Sequence, residues 1–240
     1  MPTLQKITAI SLLLSGLLLW ATTALAAPVA TVTNLSGPLA VRTAIGAIKA
    51  LGVGSRLDEG DTVVTERRTY ARLKFTDGSE VTLKPNSQFR IDRYAFDQAK
   101  PREDAGTFSL IRGGLRTITG KIGKRGNKDS YRMQTPTATI GIRGTIYDAT
   151  YCSGGSCGAI RPGLYLGVTY GSVVITNSGG VPTTLQLHAG QFAFVQSPMT
   201  PPVMLPSRPN IPFNPPVSMG GATTSGRPGS TGGGGECQVR

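Results

Sequence analysis

The sequence predicts an all-β fold of short antiparallel strands and hairpins, arranged as a sandwich or an irregular β-solenoid. Three observations carry this: apolar and polar residues alternate with a period of two, turn signals recur about every ten residues, and no segment after Ala27 shows a convincing amphipathic helical period. No strict repeat is visible, so the stacked identical coils of a regular β-helix are not expected.

Taken in chain order, Lys6 precedes an apolar run from Ile7 to Trp20, and Ala24-Leu25-Ala26 supplies the small-x-small pattern of a secretory cleavage site. Residues 1–26 therefore read as a signal peptide. No other apolar stretch approaches the ~20 residues of a membrane helix, so the mature chain is expected to be exported, periplasmic in a bacterium, and not membrane-spanning. Residues 27–197 then read as one β-domain. Its clearest unit is "YARLKFTDGSEVTLKPNS": Ala71, Leu73 and Phe75 form one face, Asp77-Gly78 makes a tight turn, and Val81 and Leu83 resume the apolar face. "FRIDRY", "FSLIRGGLRTIT", "LYLGVTYGSVVITNSGG" and "TTLQLHAGQFAFV" follow the same pattern. From Pro198 prolines and then glycines replace the alternation, and residues 198–240 are expected to be a disordered tail.

The cysteines suit an exported chain. Cys152 and Cys157 bracket "SGGS", short enough for a local disulfide, which leaves Cys237 over in the tail. Charge is strongly positive: 25 Lys and Arg against 13 Asp and Glu give +12, and loss of Lys6 with the leader leaves about +11. For an exported protein this points to lipopolysaccharide phosphates, lipid head groups or acidic glycans rather than nucleic acid.

Catalytic patterns fail on inspection. "GGSCG" matches G-x-S-x-G, yet no helix follows Ser156, and the sole histidine, His188, shares a polar strand face with Thr184 and Gln186. "GGLRTITGKI" lacks the Ser or Thr of a phosphate loop, because Ile122 follows Lys121. One histidine and three cysteines offer no zinc-type spacing. Neither catalytic residues, a metal site nor a cofactor is expected. The strongest chemical signal is basic: "RGGLRTITGKIGKRGNKDSYR" carries Arg112, Arg116, Lys121, Lys124, Arg125, Lys128 and Arg132 against Asp129 alone. Read as a protruding hairpin, it could contact a polyanion. No aromatic residue interleaves it between Arg112 and Asp129, which argues against single-stranded nucleic acid.

"TPTATIGIRGT" poses a separate question. Ala138, Ile140 and Ile142 alternate with Thr137, Thr139, Gly141 and Arg143, but Gly141 and Gly144 weaken the strand, so something must approach its backbone closely. The simplest expectation is that Arg143 braces the fold by pairing with Asp61 in "EGDTV" or with Asp77, beside Gly78, in "FTDGS".

The order of "EGDTVVTERRTYARLKFTDGSEVTLKPNSQFRIDRY", "IRGGLRTITGK", "YRMQTPTATIGIRGT", "GVTYGSVVI" and "AGQF" resembles the FecR-type domain, named for a bacterial iron-dicitrate signal transducer. The resemblance covers about residues 35 to 195. It implies an all-β extracytoplasmic domain that binds protein or envelope partners and has no catalytic residues to transfer. Family members that regulate sigma factors carry a helical cytoplasmic segment and a membrane span ahead of the domain, whereas a signal peptide leads into it here, so a transmembrane anti-sigma role is not expected. Glu66-Arg67-Arg68 stands where the family has a small residue or glycine, and the local turn is expected to differ. The resulting expectation is a non-catalytic binding or scaffolding module of the envelope. The alternative is a binder of lipopolysaccharide or acidic glycan acting through residues 112–132.

Overall fold

The computed structural model describes residues 27–127 and 129–219. Residues 1–26 with the expected signal peptide, Lys128, and residues 220–240 with Cys237 lie outside them. Fifteen strands follow in order: β1 (Ala30–Leu35), β2 (Leu39–Arg42), β3 (Ile48–Leu51), β4 (Arg56–Leu57), β5 (Thr62–Thr65), β6 (Ala71–Phe75), β7 (Glu80–Leu83) and β8 (Gln88–Ala95), then β9 (Ala105–Ile118), β10 (Tyr131–Gln134), β11 (Ala138–Cys152), β12 (Gly163–Asn177), β13 (Thr184–His188), β14 (Phe192–Val195) and β15 (Val203–Leu205). Among the described residues no helix is long and apolar enough to cross a membrane.

Local chemistry sets the β6–β7 hairpin as the alternation requires. Ala71 faces Leu83 and Leu73 faces Val81 across it, and Gly78 turns the chain at φ 85°, a left-handed conformation that only glycine adopts cheaply. The chain is all β, yet three of its strands are long. Spans of 14, 15 and 15 residues in β9, β11 and β12 each contain a glycine of positive φ: Gly113 at 80°, Gly144 at 59° and Gly171 at 78°. At these glycines the strands bend and change partners.

The bends fold the sheet into two faces. One face runs β4-β1-β6-β7, then the C-terminal half of β9, the C-terminal half of β11, the N-terminal half of β12, β14 and β15. The other runs β3-β2-β5-β8, the N-terminal half of β9, β10, the N-terminal half of β11, the C-terminal half of β12 and β13. Strands that switch sheets at bends make the corners of such sandwiches. All pairs are antiparallel except β9 with β10, which run parallel with Phe108 opposite Met133. Residues 112–132 are therefore not a hairpin: Arg112 to Ile118 stay in β9, and the chain loops back to lay β10 beside the other half of the same strand.

Inward residues of both faces meet in one core. Phe75 of the first sheet packs edge-on to Phe108 of the second, centroids 5.2 Å apart, and Phe89 stacks on Phe108 at 5.7 Å. Burying aromatic surface of this kind is the main favourable term in the fold. The Tyr131 and Tyr147 hydroxyls satisfy one another at 2.7 Å inside the core. Burial pushes the Tyr131 phenol well above its ordinary value and the Tyr147 phenol up to about 12.

One expectation gains detail and one is corrected. At the departure from the family pattern Arg68 takes φ 64°, the position a glycine would hold without strain. The change expected at Pro198 does not end the ordered chain, because β15 pairs with β14 and the chain is described as far as Met219, itself buried. The physical reason lies in the outward-facing Tyr165 and Phe194, which need cover: Leu205 and Ile211 pack against them, beside Cys152 and Cys157. Proline suits such a covering segment, since it lacks an amide donor and holds the chain extended.

Candidate functional site

The acids expected to meet Arg143 are occupied elsewhere. Asp77 is 4% exposed, and its Oδ1 accepts hydrogen bonds from the Ser79 amide at 2.9 Å, the Ser79 hydroxyl at 2.7 Å and the Tyr94 hydroxyl at 3.3 Å. Its Oδ2 accepts from the Ile122 amide at 3.1 Å, so this one side chain ties the β6–β7 turn to the loop that follows β9. Asp61 is also buried, and its Oδ2 accepts from the Asp58 amide at 3.0 Å. Burial raises its carboxyl above the ordinary value. Both are turn-locking carboxylates. Arg143 is exposed and has no hydrogen bond or ion pair among the described residues, so it is not a brace.

The basic segment 112–132 divides in two. Arg116 forms a fork with Asp148 on the neighbouring strand, Nε to Oδ1 at 2.7 Å and Nη2 to Oδ2 at 2.8 Å, and this holds its guanidinium still more firmly charged. Arg125 forms a second fork with the buried Asp104 at 3.0 and 3.2 Å, and also donates to the carbonyls of Asp97 and Gln98. Lys121 donates to the Gln98 side chain at 3.0 Å. Arg112, Lys124 and Arg132 are exposed, and nothing among the described residues pairs with them. The sequence pattern joined cations that the fold assigns to different places.

The Cys152–Cys157 disulfide is present, with Cα atoms 5.5 Å apart, and closes the loop between β11 and β12. Ser156 lies in that loop, its Oγ accepting from the Ser153 amide, while His188 of β13 pairs with Ser172 of β12. Among the described residues no three His, Cys, Asp or Glu side chains gather as metal ligands.

The outer face of the first sheet is covered in part, over β9, β11, β12 and β14. Residues 206–214 cross it as a strap. Arg208 comes within 3.7 Å of Asp148, the Phe213 ring lies under the Arg116 guanidinium at 4.2 Å and edge-on to Tyr70, and the Asn214 amide donates to the Tyr70 hydroxyl at 3.4 Å. Sequence reasoning missed this strap. The available signal was the spacing of Ile211 and Phe213 among the prolines, apolar residues that a purely solvated tail would not need.

The outer face of the second sheet is bare, and it holds the candidate site. Alternation places Thr139, Gly141 and Arg143 of β11 outward, with Arg132 of β10 directly opposite Gly141, and Val174 and Thr176 of β12 opposite Gly141 and Thr139. These side chains, with Asp129, Tyr131 and Ile142, line a cleft of about 210 Å³. Lys124 lies over Gly144, next to Arg143 in the chain, its Cε 3.4 Å from where a Cβ on Gly144 would stand. Two arginines and two threonines thus line a cleft that has no side chain at Gly141, a donor set that can hold an oxyanion by forked hydrogen bonds.

Residues 61–160 match the family described as FecR protein. No curated protein matches the chain. Two crystal structures of a proposed anti-sigma factor from Parabacteroides distasonis, at 1.65 and 2.50 Å, each align with a TM-score of 0.44 and 10% identity, covering 61% of this chain and 59% of that one. The family match runs from the start of β5 into the loop between β11 and β12, over the first three of the ordered motifs that the sequence displays, so this stretch of the chain is similar to the FecR family.

Proposed function

We propose that this chain is an exported module of the cell envelope that works by non-catalytic binding or scaffolding. The observation that carries the reading is the bare outer face of the second sheet, polar and arginine-bearing, beside a strand, β13, that is hydrogen-bonded on one side only. A flat exposed face and an open edge are what a protein or envelope component can dock against. The FecR domain and the leader-like residues 1–26 support the same reading. A second reading, binding of lipopolysaccharide or acidic glycan, is favoured by the cations Lys124, Arg132 and Arg143, which have no side-chain partner among the described residues. It no longer uses the whole 112–132 segment, because Arg116 and Arg125 are already held by acids.

Site-specific photo-crosslinking in intact cells tests the proposal. A crosslinker at Gln134 or Gln186, both on the bare face, should capture an envelope component, and one at Pro212 on the strap should not. Equal capture from all three positions, or fractionation of the mature chain with the cytoplasm, would overturn it.

A further inference from the structure

Gly141 has no structural reason to be glycine. Its φ is not positive, and a Cβ built on it would meet only the Val174 carbonyl oxygen, at 4.0 Å. Gly144, three residues on, is different: it bends the strand at φ 59°. A glycine inside a strand costs stability and leaves nothing to pack. At Gly141 the missing side chain has one effect, to keep the cleft between Arg132 and Val174 open to its floor.

The cleft selects its ligand by three features. Arg132 and Arg143 have no acidic partner among the described residues, so an oxyanion can take both forks without displacing a carboxylate. The rim is mixed, because Thr139 and Thr176 offer hydroxyls and Asp129 offers an acceptor, a set that suits a polyhydroxylated anion better than a bare one. Last, β10, β11 and β12 are interior strands here, with main-chain groups paired on both sides, so no peptide strand can add at this point.

We infer that the cleft over Gly141 binds the carboxylate or phosphate of an acidic glycan, with Arg132 and Arg143 gripping the oxyanion and Asp129, Thr139 and Thr176 facing the sugar hydroxyls. This deepens, and rests on, the reading of the chain as an envelope-binding module. The outward row through Gly141 continues across the sheet through Arg132 and Thr107 to Arg93, two strands or about 10 Å beyond Arg132, so successive charges of one chain can be met in line.

The test titrates the full mature protein at low salt with an oligogalacturonate, with glucose 6-phosphate, with inorganic phosphate alone, and with a neutral maltooligosaccharide. An acidic sugar should bind, the neutral one should not, and added salt should weaken the complex. Arg132→Gln and Arg143→Gln should each weaken it by about tenfold or more, while Arg112→Gln leaves it unchanged. Gly141→Val should abolish binding with a Tm equal to or above the parent's, a result that a structural glycine could not give. Gly141→Ala should fall between.

Failure of both acidic sugars to bind, retained affinity in Gly141→Val, or inorganic phosphate binding as tightly as the sugars would overturn the inference. Crosslinking at Gln134 or Gln186 in cells without sugar-acid binding would leave the envelope reading standing and remove this one. Sugar-acid binding by a protein that fractionates with the cytoplasm would do the reverse.

Discussion

Arg116 and Arg143 look alike in the sequence: each is a strand arginine near a pair of glycines, pointing away from the core. Their surroundings differ completely. On the first sheet Arg116 is forked to Asp148, which Arg208 of the strap also approaches, and lies against the Phe213 ring of the strap. On the second sheet Arg143 faces solvent beside Arg132 over an open floor. The same residue type is structural where a neighbouring strand supplies an acid and the chain returns to cover it, and available for ligands where neither happens. Lys84 adds to the contrast, because burial near the covered face lowers its ammonium's pKa even with Asp148 nearby.

The contrast can be broken at several places. Gly171→Ala has the largest expected effect, since its Cβ would stand 2.4 Å from the Gly144 carbonyl oxygen at φ 78°. A loss of about 3 kcal/mol or more in urea unfolding is expected. A cheap substitution there would mean that the bent strands are not what separates the two faces. Asp148→Asn comes next, at about 2 kcal/mol, because it leaves Arg116 under the strap and Arg208 within it without their acid. Limited proteolysis should then cut between residues 206 and 214, and a strap that stays resistant would show that its apolar contacts suffice.

Between the faces, the Tyr131–Tyr147 pair makes stability depend on alkaline pH. The folded phenols hold their protons above the ordinary value of about 10, so beyond that pH the unfolded chain binds fewer protons and stability falls as pH rises. Each tyrosine contributes up to about 1.4 kcal/mol per pH unit until its folded pKa is passed, and Tyr147→Phe should flatten the slope in denaturant titrations at pH 10 to 12. The smallest effect belongs to the bare face. Arg143→Gln should change stability by no more than about 0.5 kcal/mol, where a brace would have cost several times that.

Much of the fold was legible. The β6–β7 hairpin follows from Asp77-Gly78 and the flanking alternation, and the disulfide follows from the spacing of Cys152 and Cys157. The lengths of β9, β11 and β12 were not, because Gly113, Gly144 and Gly171 read locally as turns, and only cross-strand pairing shows that the strand resumes after each bend. The parallel partnership of β9 and β10 is equally invisible, since sequence proximity suggests a hairpin. At the site, the oddity of Gly141 was readable but its partner was not. Asp61 and Asp77 sit in turns with a reachable look, yet local amides and hydroxyls satisfy them first.

The three bent strands have a consequence for how this domain opens. In sandwiches of separate sheets, one layer can exchange its amide hydrogens while the other stays closed. Here every one of β9, β11 and β12 donates ladder bonds to both layers, so fraying one layer pulls on the other through a continuous backbone. The amides of these strands should exchange together, by a single opening whose free energy equals that of global unfolding. The short outlying strands β3 and β15 should exchange earlier, each with its own rate.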